Sequence, residues 1–261
     1  MEGRELHFSR PSSSLLDNGP VHPHGVDYAI VDYDTPGLAA DCVRSIERAY
    51  AGTDVPYTAT VRDAKSLEES YAQAVNRTLA TGTAPYVCTL NADTVMPAYP
   101  QAVFDVFASD ERIAVVGPRQ VDAEHRIRHA GVFGPNEKPR HRMWGEPLTP
   151  ENDAATAEFA RDAAMVSGSV LFARRDVWEE LGGFLETRHY FEDTAFCFLA
   201  RHRGYRVVYT GALTWLHLYN QSMPSEDGSE LAAANQEQKA QWFRESKQQF
   251  RKFCREHGIV A

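Results

Sequence analysis

Residues that would announce several common chemistries are scarce in this chain. Only four of 261 residues are cysteine (Cys42, Cys88, Cys197 and Cys254), and none forms a CxxC pair, so neither a zinc site nor a disulfide framework is indicated. A reducing setting fits that pattern. No apolar run approaches the roughly 18 residues that a membrane span needs. The leader MEGRELHFSRPSSSLLDNGPVHPHG is polar rather than signal-like. Cations are outnumbered, 27 Lys and Arg against 36 Asp and Glu, and the net charge of −9 argues against nucleic-acid binding over the whole surface. Near the first strand, VDYDTPG holds a single glycine, too few for a Gly-rich phosphate loop. No internal repeat is present. What remains is a soluble, cytoplasmic protein whose partners must be argued from local sites.

With 43% hydrophobic and 24% charged residues, the chain can bury a full core. Residues 1–25, rich in Ser, Pro, Gly and His, predict a flexible N-terminal arm. From Val26 onward, strands and helices alternate. Residues 27–33, 57–63, 86–93 and 113–120 read as buried strands, and 38–50, 66–81 and 99–110 as helices, the second opened by a Ser66/Glu69 capping box. Such spacing implies parallel βαβ units and an α/β, doubly wound, mostly parallel sheet. Ligands then belong outside the C-terminal strand ends, where the stretch TLNADTVM places one boxed carboxylate, Asp93.

The second half is less regular. Residues 121–163 read as a long surface loop or hairpin, 165–175 as a strand, 176–184 and 190–204 as helices, and 205–218 as strand and loop. The tail from 230 to 257 is helical, with an aromatic face and a cationic stripe of Arg244, Lys247, Arg251, Lys252 and Arg255. That stripe could rest on an anionic membrane or pack back on the domain.

Four segments in order carry a resemblance. AIVDYDTPGLAADCVRSI, TLNADTVM, VSGSVLFARRDVWEELGGFLE and YFEDTAFCFLARHRGYRVVYTGALTWLHL resemble the elements of family 2 glycosyltransferases with the GT-A (Rossmann-like) fold, which include rhamnosyl- and O-antigen-type transferases. RIRHAGVFGPNEKPRHRMWGEP is similar to the HAG and HxxRG loop of one branch. The resemblance covers residues 26–222. It implies a nucleotide-sugar-binding half at 26–120, an acceptor-binding and catalytic half at 121–222 of the same domain, and a C-terminal helical tail at 223–261.

The resemblance also implies a mechanism and its residues. The expected reaction is inverting transfer of a sugar, most simply from a UDP-sugar, to a glycan or lipid-linked hydroxyl. Asp93 and His217 would hold Mn2+ or Mg2+ against the donor diphosphate. Asn91 stands where the family often has a second Asp; its amide suits a ribose hydroxyl but adds no charge. Asp193 would be the base, with Glu192 beside it. Tyr33, Asp34, Asp63 and Asn76 would grip the donor, with Asp63 as a plain loop acid and Asn76 as an ordinary helix position the competing readings. His141, Arg142 and Trp144, thickened by Lys138, Arg140, Arg119, Arg126 and Arg128, would bind diphosphate, an anionic acceptor or a nucleic-acid strand. Local charge allows nucleic acid and global charge disfavours it. Two other classes compete: a non-catalytic glycan-binding scaffold, and a glycosyltransferase acting on hydroxylated bases in DNA.

Overall fold

Continuous apolar runs in the first half become strands covered on both faces. The computed structural model describes residues 5–10, 24–219, 221 and 230–261. In chain order the elements are β1 (Glu5–Arg10), β2 (Val26–Asp32), α1 (Pro36–Tyr50), β3 (Tyr57–Asp63), α2 (Tyr71–Leu79), β4 (Tyr86–Asn91), β5 (Thr94–Val95), α3 (Gln101–Ser109), β6 (Ile113–Val121), β7 (Ile127–His129), β8 (Val132–Phe133), β9 (Arg140–His141), α4 (Pro150–Thr156), β10 (Arg161–Asp162), β11 (Val170–Arg174), α5 (Arg175–Leu181), α6 (Glu192–His202), β12 (Arg206–His217) and α7 (Glu230–His257). Every residue of β2 and β6 is buried, as expected of strands sandwiched between helices.

The main sheet runs β1-β3-β2-β4-β11-β6-β12-β10. Strands β3, β2 and β4 pair in parallel, as do β6 and β12, while β11 runs antiparallel to both its neighbours, β4 and β6. Hence β2, β3, β4, β6 and β12 all point one way, and their C-terminal ends share an edge with the start of the reversed β11. Side chains alternate between faces along β2: Tyr28 and Ile30 join α1 and α3 in one core, Ala29 and Val31 join α2, α5 and α6 in the other.

Three expectations are corrected. The arm is not loose throughout, because β1 pairs antiparallel with β3 from Glu5↔Arg62 to Arg10↔Tyr57. Phe8 packs against the core and His7 Nδ1 lies 3.0 Å from Thr60 Oγ1, contacts that anchor this edge; residues 11–23 lie outside the described residues. The capping box belongs to Ser70 and Gln73, one turn later than predicted. Glu69 serves instead as the buried partner of Arg62 (2.5 Å) and Arg77, so its carboxylate is spent on ion pairs rather than a helix end. Residues 165–169 form no strand beyond an isolated bridge between Met165 and Val132, and Gly168 N–H and Ser169 Oγ bond the side chains of Asp193 and Gln120. The predicted loop at 121–163 contains the β8–β9 hairpin and α4, which Thr149 caps by accepting from Asn152 N–H at 3.2 Å.

One buried ion pair ties the two halves. Arg175 Nη2 meets Asp27 Oδ2 at 2.6 Å, and the same guanidinium donates to the carbonyls of Ala84 (2.6 Å) and Leu79 (3.0 Å). Gly82 makes room: a Cβ there would stand 2.1 Å from Asp27 Oδ2. Removing one partner strands a buried charge, so Arg175→Met should cost about 3–5 kcal/mol in urea unfolding. Adding Asp27→Asn should return part of that loss.

Candidate active site

Asp93 and His217 come together at the shared edge of the sheet. β4 delivers Asn91 and then the turn bearing Asp93, while β12 ends at His217, directly opposite Thr94 of β5. Leu218 N–H donates to the Asp93 carbonyl at 2.9 Å, locking the two segments. Asp93 Oδ1 then lies 3.3 Å from His217 Nε2, and both side chains are over nine-tenths buried. On the other side of the ring, Nδ1 sits 3.0 Å from Gln120 Oε1. An amide carbonyl oxygen only accepts, so Nδ1 donates to it. Asn91 Nδ2 stands 3.4 Å from His217 Nε2.

With the ring neutral, Nε2 would turn a lone pair toward the Asp93 carboxylate, and a cation between the two would be held by both. One carboxylate oxygen and one imidazole nitrogen, with phosphate oxygens and water, suit a divalent ion shared with a diphosphate. Among the described residues no group of three His, Cys, Asp or Glu side chains converges, so any ion here would draw its remaining ligands from elsewhere.

The segment Ser167–Gly168–Ser169 connects this pair to a second carboxylate site. Ser169 Oγ donates to Gln120 Oε1 (2.7 Å), and the Ser169 carbonyl accepts Asn91 N–H (3.1 Å). Gly168 N–H donates to Asp193 Oδ2 at 2.8 Å, and the Gly168 carbonyl accepts the hydroxyls of Thr89 (2.6 Å) and Tyr71 (2.7 Å). A Cβ on residue 168 would lie 3.2 Å from that of Asp193, so glycine allows α6 to approach. Asp193 Oδ1 also accepts Thr194 N–H at 2.6 Å.

Burial raises the pKa of both acids at the start of α6. It pushes Glu192, with the adjacent Asp193 charge second, up to about 8. Asp193 is raised as well, against the opposing bonds from Gly168 and Thr194. Their aim depends on strained backbone: Tyr190 and Phe191 both have positive φ, 79° and 68°. Two such non-glycine residues in succession need external support. Phe191 receives it by stacking on Phe250 of α7 at 5.1 Å, and Thr187 Oγ1 donates to the Tyr190 carbonyl at 2.8 Å.

A cavity opens beside Asp93 and His217. Its lining includes Val31, Tyr33, Ala64, Ser70 and Asn91 from the first half of the chain and Arg188, Tyr190, Tyr219, Lys239 and Trp242 from the second. Arg188 lies over the Trp242 ring at 5.3 Å. Tyr33 and Asn91, both singled out in the sequence, line this cavity. Tyr71, Gln120, Gly168, Arg188, Lys239 and Trp242 escaped sequence reasoning.

Other predicted residues do not join the site. Both ends of the Asn76 amide bond the backbone of Phe184, at 2.8 Å each, so Asn76 braces a loop instead of facing a donor. Asp63 caps its own turn through Ser66 N–H (3.0 Å), and exposed Asp34 pairs with Lys65; neither lines the cavity. Arg142 is committed to Glu158 at 2.8 Å and to the Ala155 carbonyl. Arg119 pairs with Asp153 (2.6 Å) and Arg128 with Asp122 (2.7 Å), because the same stretch supplies the acids. That pairing neutralises much of the basic patch that a nucleic acid would need.

Trp144 is 42% exposed, not core, and packs edge-on against His141 (4.9 Å) and Tyr219 (5.6 Å). His141 is within electrostatic reach of Asp193. His141 thus stands near the α6 acids, and Trp144 stands against Tyr219 of the cavity lining. The aromatic face of α7 is also occupied, Phe243 against Tyr190 (5.7 Å) and Phe250 against Phe198 (5.9 Å). No helix among the described residues is long and apolar enough to cross a membrane.

No protein-family model and no curated protein matches the chain. Among solved structures it is similar to GalNAc-T7 with UDP, GalNAc and Mn2+, at TM-score 0.55 and 13% identity over 91% of this chain and 55% of that one. It is also similar to a mannosyltransferase from Pyrobaculum calidifontis in complex with GDP-Man and Mn2+ (TM-score 0.49, 14% identity, 85% and 62% covered) and to A197 from STIV (0.46, 15%, 74% and 84%). The chain spans less than two thirds of the length of the first two. The fold is of the GT-A type, a mixed α/β architecture around a large, mostly parallel sheet.

Proposed function

We propose that the chain is an inverting, metal-dependent glycosyltransferase of the family 2 type, in the branch with rhamnosyl- and O-antigen transferases. The observation that carries this reading is the Asp93–His217 pair, two residues remote in sequence whose ligand atoms lie 3.3 Å apart beside a cavity at the C-terminal strand ends. Asp93 Oδ1 and His217 Nε2 would hold the ion, and the nitrogen ligand favours Mn2+ over the oxygen-preferring Mg2+. Bound there, it would neutralise charge growing on a leaving diphosphate.

Residues 26–120 contribute the donor side, with Tyr33 against the base and Asn91 at the ribose. Residues 121–222 contribute the acceptor side, a glycan or lipid-linked hydroxyl bordered by His141 and Trp144. Asp193 takes the acceptor proton as the new bond to the anomeric carbon forms and the bond to the diphosphate breaks. Glu192, kept protonated by burial at neutral pH, orients its neighbour without adding charge. UDP is the expected donor nucleotide, and the GT-A neighbour with the higher TM-score was solved with UDP and Mn2+.

A thermal-shift panel of UDP-, GDP-, dTDP- and CMP-linked sugars, with and without Mn2+, tests this. A ligand that binds only the folded state raises Tm, by several degrees at a hundredfold excess over Kd. One nucleotide class should do so and require Mn2+. If none shifts Tm with Mn2+ present, the chain is not a nucleotide-sugar enzyme.

A further inference from the structure

The grip of α7 on the chain entering α6 involves more than one ring. Along α7, Trp242, Phe243, Ser246 and Phe250 recur at helical spacing, and each meets the stretch 189–191 that leads into α6. His189 N–H donates to Ser246 Oγ at 3.3 Å, and the His189 ring lies 5.8 Å from that of Trp242. Phe243 packs against both Tyr190 (5.7 Å) and Phe191 (5.2 Å), while Phe250 stacks on Phe191 at 5.1 Å with the ring planes 16° apart. Ser246 is fully buried, and its small side chain lets α7 lie close. One turn before Phe243, Lys239 lines the cavity together with Trp242.

That grip falls on backbone that local preferences do not favour. Phe191 is the N-cap of α6, a position that prefers Ser, Thr, Asp or Asn in an extended conformation, yet it sits at φ 68° and ψ −1° with no side-chain cap. Tyr190 before it has φ 79°. Left-handed backbone is costly for any residue with a Cβ, so a segment without support would relax out of it. The next two residues are Glu192 and Asp193, and Asp193 is placed to a close tolerance. Its Cβ lies 3.2 Å from where a Cβ on residue 168 would stand, and its Oδ2 accepts Gly168 N–H at 2.8 Å. Relaxation at 190–191 would rotate the first turn of α6 and break that bond.

We propose that α7 is a positioning element of the active site: Phe250, with Phe243 and Ser246, holds Tyr190 and Phe191 in the left-handed form and thereby aims the Asp193 carboxylate. The conformation is imposed from outside the segment, by a helix far along the chain. Glycine carries no such penalty. The contribution of Phe250 should therefore shrink when residue 191 has no side chain, even though the packing of that side chain is lost as well. A purely structural contact predicts the reverse, since each deletion would add to the damage. The effect on turnover rests on the proposed function; the placement of the carboxylate does not.

The test compares Phe250→Ala, Phe191→Ala, Phe191→Gly and the double variant Phe250→Ala/Phe191→Gly in the full chain, by hydrogen exchange at the Gly168 amide, by Tm and by steady-state sugar transfer. Phe250→Ala and Phe191→Ala should each speed Gly168 exchange at least tenfold and lower kcat at least tenfold, with KM for the donor unchanged. Phe191→Gly should be at least fivefold less impaired than Phe191→Ala in both readouts. Adding Phe250→Ala to Phe191→Gly should change either by less than threefold, although Tm falls further. Unchanged Gly168 exchange in folded Phe250→Ala overturns the inference. So does a Phe191→Gly variant as impaired as Phe191→Ala, a comparison that holds even if Phe250→Ala does not fold. If exchange follows the expected order but wild type transfers sugar from no nucleotide donor, this inference stands and the glycosyltransferase reading falls.

Discussion

Asp93→Ala should remove the Mn2+-dependent part of donor binding and lower turnover about a thousandfold, the several kcal/mol that charge neutralisation at a leaving diphosphate is worth. The fold should survive the change. Among the described residues the Asp93 carboxylate caps no helix and meets no arginine; its contact is His217 Nε2 at 3.3 Å. Deleting a buried carboxylate so poorly paired should leave Tm without metal unchanged or raised, the pattern of a group kept for chemistry rather than stability. Asp93→Asn should behave like alanine in turnover, since an amide of the same shape adds no charge. Calorimetry with Mn2+ and the nucleotide selected by the thermal-shift panel reads the binding term directly. If the alanine variant keeps Mn2+-dependent binding within threefold of wild type, the ion is held elsewhere.

How far the sequence reveals this site follows from where each residue gets its meaning. Asp93 was legible because it ends a run of buried residues, and a charge at that point must face a ligand or a partner. The first-half strands were legible for the same reason: seven consecutive buried residues in β2 have no polar face to mislead. Ser66 and Glu69 show the opposite case. They fit the local capping pattern as well as Ser70 and Gln73 do, and only the ion pairs of Glu69 with Arg62 and Arg77, formed across the fold, decide between them. Arg142 and Arg128 read as free cations because Glu158 and Asp122 are brought to them by turns that no periodicity marks. Arg188 and Trp242 are far apart in sequence, and α7 brings Lys239 and Trp242 to the cavity through packing of Phe243 and Phe250. Gln120 and Gly168 carry no signal of their own. Their roles are contacts with His217 and Asp193, and those exist only once β6, β11 and β12 lie side by side.

Asp193→Asn should lower kcat by about 10^2- to 10^4-fold and leave the donor-induced rise in Tm intact, because the base acts on the acceptor. The amide also loses one acceptor, so Thr194 or Gly168 N–H goes unmet and Tm should fall modestly. The pH profile separates the two carboxyls. A base must be ionised, and burial raises Asp193, so kcat/KM should climb with pH through a value above the ordinary aspartate range. Glu192 is neutral below about 8. Glu192→Gln imitates that neutral form, so it should retain most activity at pH 7 and remove any inflection near pH 8.

Stability carries the same signature. The folded pKa of Glu192 is about 8 against an ordinary 4.5, so the native state holds a proton that the unfolded chain has released. Stability therefore falls as pH rises between those values, and the full penalty applies above the upper one. Urea unfolding of wild type at pH 5 and pH 9 should show that decline, while Glu192→Gln should flatten it and be the more stable protein at pH 9. An equal slope in both proteins would mean that Glu192 is ionised in the fold. Asp193 would then face a second full charge at its side, and a base so placed would have its pKa driven higher still, out of the range in which it could take a hydroxyl proton at neutral pH.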